Sequence, residues 1–125
     1  MNIEQGEIWL VNFNPSIGSE IQKMRPCVVV NNNRLGRFGL KIVVPITEWK
    51  EHLQNYPWII KIENNSTNGL TKTSAFECFQ IKSFSVERFV KKLGEVEKDT
   101  VVQIHKTILK TLNPQYNLVE ATISM

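Results

Sequence analysis

Short runs of β-branched and aromatic residues, each cut off by Gly, Pro or Asn, fill most of this 125-residue chain. Such runs are too short for helices and too close together for helical crossovers, which restricts the chain to a small antiparallel sheet. Residues 7–13, 27–31, 40–47, 58–62, 72–81 and 90–96 read as strands. Pro45, near the end of the third, suits an edge or a bulge, and residues 48–57 read as polar and irregular. Phe76, with Cys78 or Phe79, and Ile81 are the expected core members of the fifth. Residues 83–89 read as a helical turn that Ser85 caps. The period then changes. Over residues 98–112, Val101, Ile104, Ile108 and Leu112, supported by Leu109, share one helical face, and Asn113-Pro114 stops the helix. Roughly five to seven short strands with one C-terminal helix make a compact, mainly β barrel (β+α) the economical fold. One domain over residues 1–113 and a tail over 114–125 are expected.

Fifteen basic against twelve acidic residues give a net charge of +3, a mild bias toward a polyanionic partner. Cys27 and Cys78 lie in apolar runs with no Cys or His at ligand spacing, so buried free thiols are expected, with no metal and no cofactor. The chain shows no basic-then-apolar start and no run of membrane-spanning length, so a cytoplasmic protein is expected. There is no Gly-rich phosphate loop, nucleophile elbow or zinc-protease motif. His52 sits in a polar stretch and His105 on the helix, and neither is assigned a role.

The chemistry concentrates at strand ends. Ser19, Glu20, Gln22 and Lys23 precede Arg25-Pro26, which opens the apolar run Cys27-Val28-Val29-Val30. Proline forces an extended approach, so a permanent cation stands at the mouth of a rigid strand, suited to a phosphate or else to a surface carboxylate. Thr47 leaves the core at the end of the third strand. If the second and third strands are neighbours, a guanidinium and a hydroxyl meet across a shallow groove and can share a phosphoryl oxygen. With no metal-binding pattern, RNA is the suitable polymer, because its own 2′-OH can attack the adjacent phosphorus. Arg34, Arg37 and Lys41, with Phe38 and Trp49, supply cations interleaved with stacking surfaces, as single strands require. Trp9 and Phe13 are better read as core.

The ordered set Gly6-Glu7-Ile8-Trp9-Leu10-Val11, Asn14-Pro15, Gly18-Ser19-Glu20, Arg25-Pro26-Cys27-Val28-Val29-Val30 and Val44-Pro45-Ile46-Thr47 resembles the MazF/PemK type of toxin–antitoxin ribonuclease. Thr73-Ser74-Ala75, Gln80-Ile81-Lys82 and Lys92-Leu93-Gly94 continue the likeness. It implies an SH3-like barrel, a homodimer, and metal-independent cleavage of single-stranded RNA, usually mRNA, to a 2′,3′-cyclic phosphate and a 5′-hydroxyl. It also implies a cognate acidic antitoxin. By position Arg25 and Thr47 match the family's catalytic residues, and Glu20 a substrate-contacting one that is also the candidate acceptor of the 2′-OH proton. Gln80 falls among the RNA contacts. Phe79 stands where an acid is frequent, and Asn31-Asn32-Asn33 where Asn-Asp is usual. Two alternatives accompany this reading: a CcdB-like, gyrase-poisoning toxin on the same fold, and a catalytically impaired module that binds RNA or antitoxin.

Overall fold

A computed structural model describes residues 2–14 and 23–113. Seven strands form one antiparallel sheet: β1 (Glu7–Asn12), β2 (Met24–Val29), β3 (Leu40–Glu48), β4 (Ile59–Ile62), β5 (Ser74–Glu77), β6 (Lys82–Ser85) and β7 (Phe89–Glu95). Helix α1 (Lys98–Leu112) follows. The strand order is β4-β5-β3-β2-β1-β7, with β6 also on β3. The Glu95 N–H donates to the Thr67 carbonyl at 3.0 Å, so the loop after β4 meets β7 and the two ends of the order come round to each other.

Both faces of this sheet are covered, which is why its strands read as continuous apolar runs. Ile8, Val28, Val44, Ile46 and Phe76 pack on one face beneath Ile104 of α1. Trp9, Val11, Cys27, Val29 and Val43 pack on the other with Phe89. Phe13 leans edge-on against Phe84 at 4.9 Å. The helix spans the residues its period marks, with Val101 and Ile104 buried, and the left-handed Asn113 (φ 47°) ends it. Leu112, expected on the packed face, is exposed because the apolar stripe outruns the sheet by a turn. Residues 83–89, read as one helical turn, instead divide: Lys82–Ser85 is β6, Val86–Arg88 is a 3-10 turn that Ser85 caps by accepting from the Glu87 N–H, and Phe89 opens β7.

Residues 72–81 are not one strand. β5 stops at Glu77, a 3-10 turn over Cys78–Gln80 intervenes, and β6 begins at Lys82. Cys78 therefore lies buried in the turn rather than in a strand, while Phe79 and Ile81 are exposed instead of joining the core. The turn lets β5 and β6 share one edge of β3: β6 pairs with Leu40–Val43 and β5 with Ile46–Glu48. Pro45 sits between the two, in a central strand rather than at the expected edge. Val30 donates to the Ile42 carbonyl at 2.9 Å, so by antiparallel alternation the even residues of β3 bond β2 and the odd ones face the other edge. Pro45 thus places its missing N–H at the gap between β5 and β6. The stretch expected to be irregular also holds a 3-10 turn, over Glu51–Asn55.

Candidate active site

The same alternation builds the groove. β2 and β3 pair through Val29↔Val43, Val28↔Val44 and Cys27↔Pro45. Pro26 and Ile46 would form the next hydrogen-bonded pair, but Pro26 has no N–H to give, and the ladder ends there. Continuing that register past its last pair would bring Arg25 opposite Thr47, and both line the groove where the strands part. Arg25 also belongs to β2 itself, which starts at Met24 rather than at Cys27, because β1 pairs with it through Val11↔Arg25.

Two adjoining hollows of about 470 Å³ each share Lys23, Arg25 and Thr47. One extends over Met24, Glu48, Lys72 and Ser74. The other extends over Phe13, Pro45, Glu77, Gln80 and Lys82. Lys23 is fixed through its carbonyl, which accepts from the Phe13 N–H at 2.9 Å. Cys27 lies beneath. Burial pushes its thiol up to about 12, against the pull of the Arg25 and Lys82 charges nearby. Cys78 is likewise pushed up to about 12 by burial, with Glu77 adding to the effect.

Charge in the groove is unevenly spent. Glu48 is engaged by Lys72 at 3.3 Å and Lys50 at 3.8 Å, and the Lys72 hydrogen bond leads in holding its carboxyl below the ordinary value. Glu77 accepts from Gln80 Nε2 at 2.8 Å. Arg88 is used structurally, donating to the carbonyls of Asn12 (3.1 Å) and Asn14 (2.6 Å). Among the described residues, the Arg25 guanidinium and the Thr47 hydroxyl have neither hydrogen bond nor ion pair. The surface-carboxylate alternative for Arg25 therefore finds no support there.

Of the residues marked in the sequence, Arg25, Thr47, Lys23 and Gln80 come together. Arg34, Arg37 and Phe38 do not. They lie in the loop joining β2 to β3 at the opposite end, about 17 Å of strand away at the usual rise per residue. Trp49 stands two residues past Thr47 outside both hollows, its ring under the Lys61 ammonium at 4.9 Å. Ser19, Glu20 and Gln22 lie outside the described residues. His105 turns out to be structural, its Nε2 lying 2.8 Å from the Val30 carbonyl oxygen. Glu77, Lys72 and Lys82 are groove residues that the sequence did not single out. For Glu77 and Lys82 the signal was the break at Cys78–Gln80, which an unbroken reading of 72–81 conceals.

Strand ends that present Lys23, Arg25, Lys82 and the Thr47 hydroxyl over an open groove can receive an anionic ligand. Comparison with known proteins makes the class specific. Residues 4–112 match the family model described as PemK-like, MazF-like toxin of type II toxin-antitoxin system. Endoribonuclease MazF9 of Mycobacterium tuberculosis (strain ATCC 25618 / H37Rv) is 33% identical over 113 residues, covering 85% of this chain and 92% of the relative. Endoribonuclease PemK of Escherichia coli is 29% identical over 89 residues, covering 69% of this chain and 63% of the relative. Among solved structures, M. tuberculosis toxin MazF-mt6 matches with a TM-score of 0.69 at 14% identity, over 88% of this chain and 99% of that one. A mycobacterial endoribonuclease solved with its cognate antitoxin matches with a TM-score of 0.68 at 18% identity, over 94% of this chain and 100% of that one. The chain belongs to the PemK-like, MazF-like toxins of type II toxin–antitoxin systems.

Proposed function

We propose that this endoribonuclease toxin cuts single-stranded RNA, mRNA foremost, without a metal ion. The 2′-oxygen attacks the adjacent phosphorus, the bond to the 5′-oxygen breaks, and a 2′,3′-cyclic phosphate and a 5′-hydroxyl remain. The observation that carries this reading is that Arg25 and Thr47 line the same two hollows just beyond the last β2–β3 pair, Cys27↔Pro45. A guanidinium stays protonated at neutral pH, so Arg25 acts first as a clamp on the charge gathering at phosphorus. The Thr47 hydroxyl shares one of those oxygens. Lys23, Lys82 and Gln80 hold flanking nucleotides, and Ser19, Glu20 and Gln22 contact the RNA from the preceding loop. Glu48, at the edge of the groove, is held by Lys50 and Lys72.

A cognate acidic antitoxin covers this cationic groove, and the active form is a cytoplasmic homodimer. Support for a dimer comes from half-exposed Ile42 and Ile81, which border an apolar hollow of about 370 Å³ beside α1. No helix among the described residues is long and apolar enough to cross a membrane.

Incubation with mixed-sequence RNA in EDTA should yield discrete 5′-hydroxyl fragments. Arg25→Ala and Thr47→Ala should each slow cleavage by about a hundredfold or more at unchanged melting temperature. Complete loss of cutting in EDTA, wild-type rates in both variants, or DNA breaks with RNA left intact would overturn the proposal.

A further inference from the structure

Glu77 ends β5 and shares a face with Arg25 and Thr47. β3 pairs Thr47 with Ala75, so two residues further along β5 Glu77 stands diagonally beside Thr47 and abreast of Pro45. Diagonal neighbours on one face have Cα atoms about 7–8 Å apart, a gap a glutamate side chain spans. The sheet makes Pro45 the floor between Arg25, Thr47 and Glu77, and all four line one hollow. A phosphate held by Arg25 and Thr47 would therefore share its hollow with this carboxylate.

The carboxylate is steadied at one oxygen only. Gln80 Nε2 donates to Oε2 at 2.8 Å, and since an ionised carboxylate only accepts, this bond also fixes which way the Gln80 amide faces. The other oxygen has no hydrogen-bond partner among the described residues. The groups that face Glu77 are Arg25 from β2, Lys23 ahead of it, Lys82 from β6 and Gln80 from its own turn. Its cross-strand neighbour on β4 is the uncharged Ile59. An ionised carboxylate is the form that can take a proton.

We infer that Glu77 is the general base of the cleavage, a role that rests on the chemistry proposed above. As the 2′-oxygen bonds to phosphorus, the 2′-OH proton passes to the free oxygen of Glu77. The phosphorus–5′-oxygen bond breaks, the 5′-oxygen takes a proton from water, and Glu77 returns its own proton to water. Gln80 is then a positioning residue that holds the carboxylate in line.

The test is a pH–rate profile for wild type, Glu77→Gln, Glu77→Asp and Glu20→Gln on an RNA oligonucleotide with a mapped cleavage site. Wild type should show an acidic limb in the range where carboxylates protonate. Glu77→Gln, nearly the same size, should lose the limb and about a hundredfold in kcat, with KM within roughly twofold. Glu77→Asp should keep the limb at reduced kcat, which guards against a folding defect in the glutamine variant. Glu20→Gln should keep the limb. Wild-type kcat with the limb intact in Glu77→Gln overturns the inference. So does a change confined to KM or to the preferred cleavage sequence, which would make Glu77 a reader of bases. Loss of the limb in Glu20→Gln alone would move the role to Glu20. A wild-type chain that leaves the RNA whole overturns the nuclease proposal itself, a result no Glu77 variant can mimic.

Discussion

Glu7 shows how much one partly buried carboxylate can carry. It accepts from the Glu4 N–H at 2.8 Å and from Trp9 Nε1 at 3.0 Å, and pairs with Lys92 Nζ at 3.0 Å. Burial by itself raises its pKa, but these bonds outweigh burial and hold the carboxyl below its ordinary value. The sign follows. A carboxyl depressed in the folded state contributes stability above its unfolded pKa and loses it as pH falls through the folded one. Glu7→Gln should therefore lower stability near neutral pH by about 1 kcal/mol after solvent screening. The deficit should shrink to nothing in acid, as urea titrations across pH would show. A deficit constant with pH would mean that packing rather than charge is lost. In sequence Glu7 was one residue of a strand and of a family pattern. Besides Trp9 in its own strand, its partners come from the turn before it and from a strand at the other end of the domain, so its weight was not legible.

At the scale of elements, periodicity recovers those with a solvent side. α1 alternates buried and exposed faces at helical spacing, and its bounds were legible to the residue. The fifth strand misled because both sides of its β sheet are covered, so an apolar run carries no mark where it turns. The seam between β7 and the loop after β4 was equally silent. A Cβ at Gly94 would lie 2.3 Å from the Thr67 carbonyl oxygen and 2.4 Å from the Asn68 carbonyl carbon. Backbone cannot yield as a side chain does, so Gly94→Ala should cost about 3 kcal/mol, at the upper end for overpacking. The urea midpoint would report it. The partner glycine, Gly69, is doubly constrained, with φ +70° and Leu93 backbone 1.9 Å from its would-be Cβ. This seam closes the fold, and in sequence Gly69 read as a turn residue and Gly94 as one residue of a strand, with nothing to mark their contact.

For the whole molecule, a net charge of +3 is too small to explain strong RNA binding as a general property. Binding must come from how the charges are placed. Lys23, Arg25 and Lys82 face one hollow, whereas Arg34 and Arg37 face solvent at the far end of the β2–β3 hairpin. Lys82→Ala should weaken binding of an uncleavable 2′-O-methyl RNA across sequences and flatten the slope of log affinity against log salt by about 0.7. Arg34→Ala should leave that slope unchanged. Filter binding between low and moderate salt separates them, and equal slopes for wild type and Lys82→Ala would place the RNA elsewhere.

By itself the sequence determined most of the β strands, the helix and the residue at the head of the groove, and missed the break between β5 and β6. Those depend on local rules: β-branched runs, a helical period, and a proline that removes one N–H from one place. It paired Arg25 with Thr47 conditionally, on the two strands being neighbours. The tertiary structure met that condition and decided the rest. Register turned the missing Pro26 N–H into an opening between strands. The split of β5 from β6 swung Glu77, Gln80 and Lys82 into that opening. The β2–β3 hairpin carried Arg34, Arg37 and Phe38 away from it. Which charges face one another across a sheet is set by pairing partners far apart in the chain, and only the folded strands fix those partners.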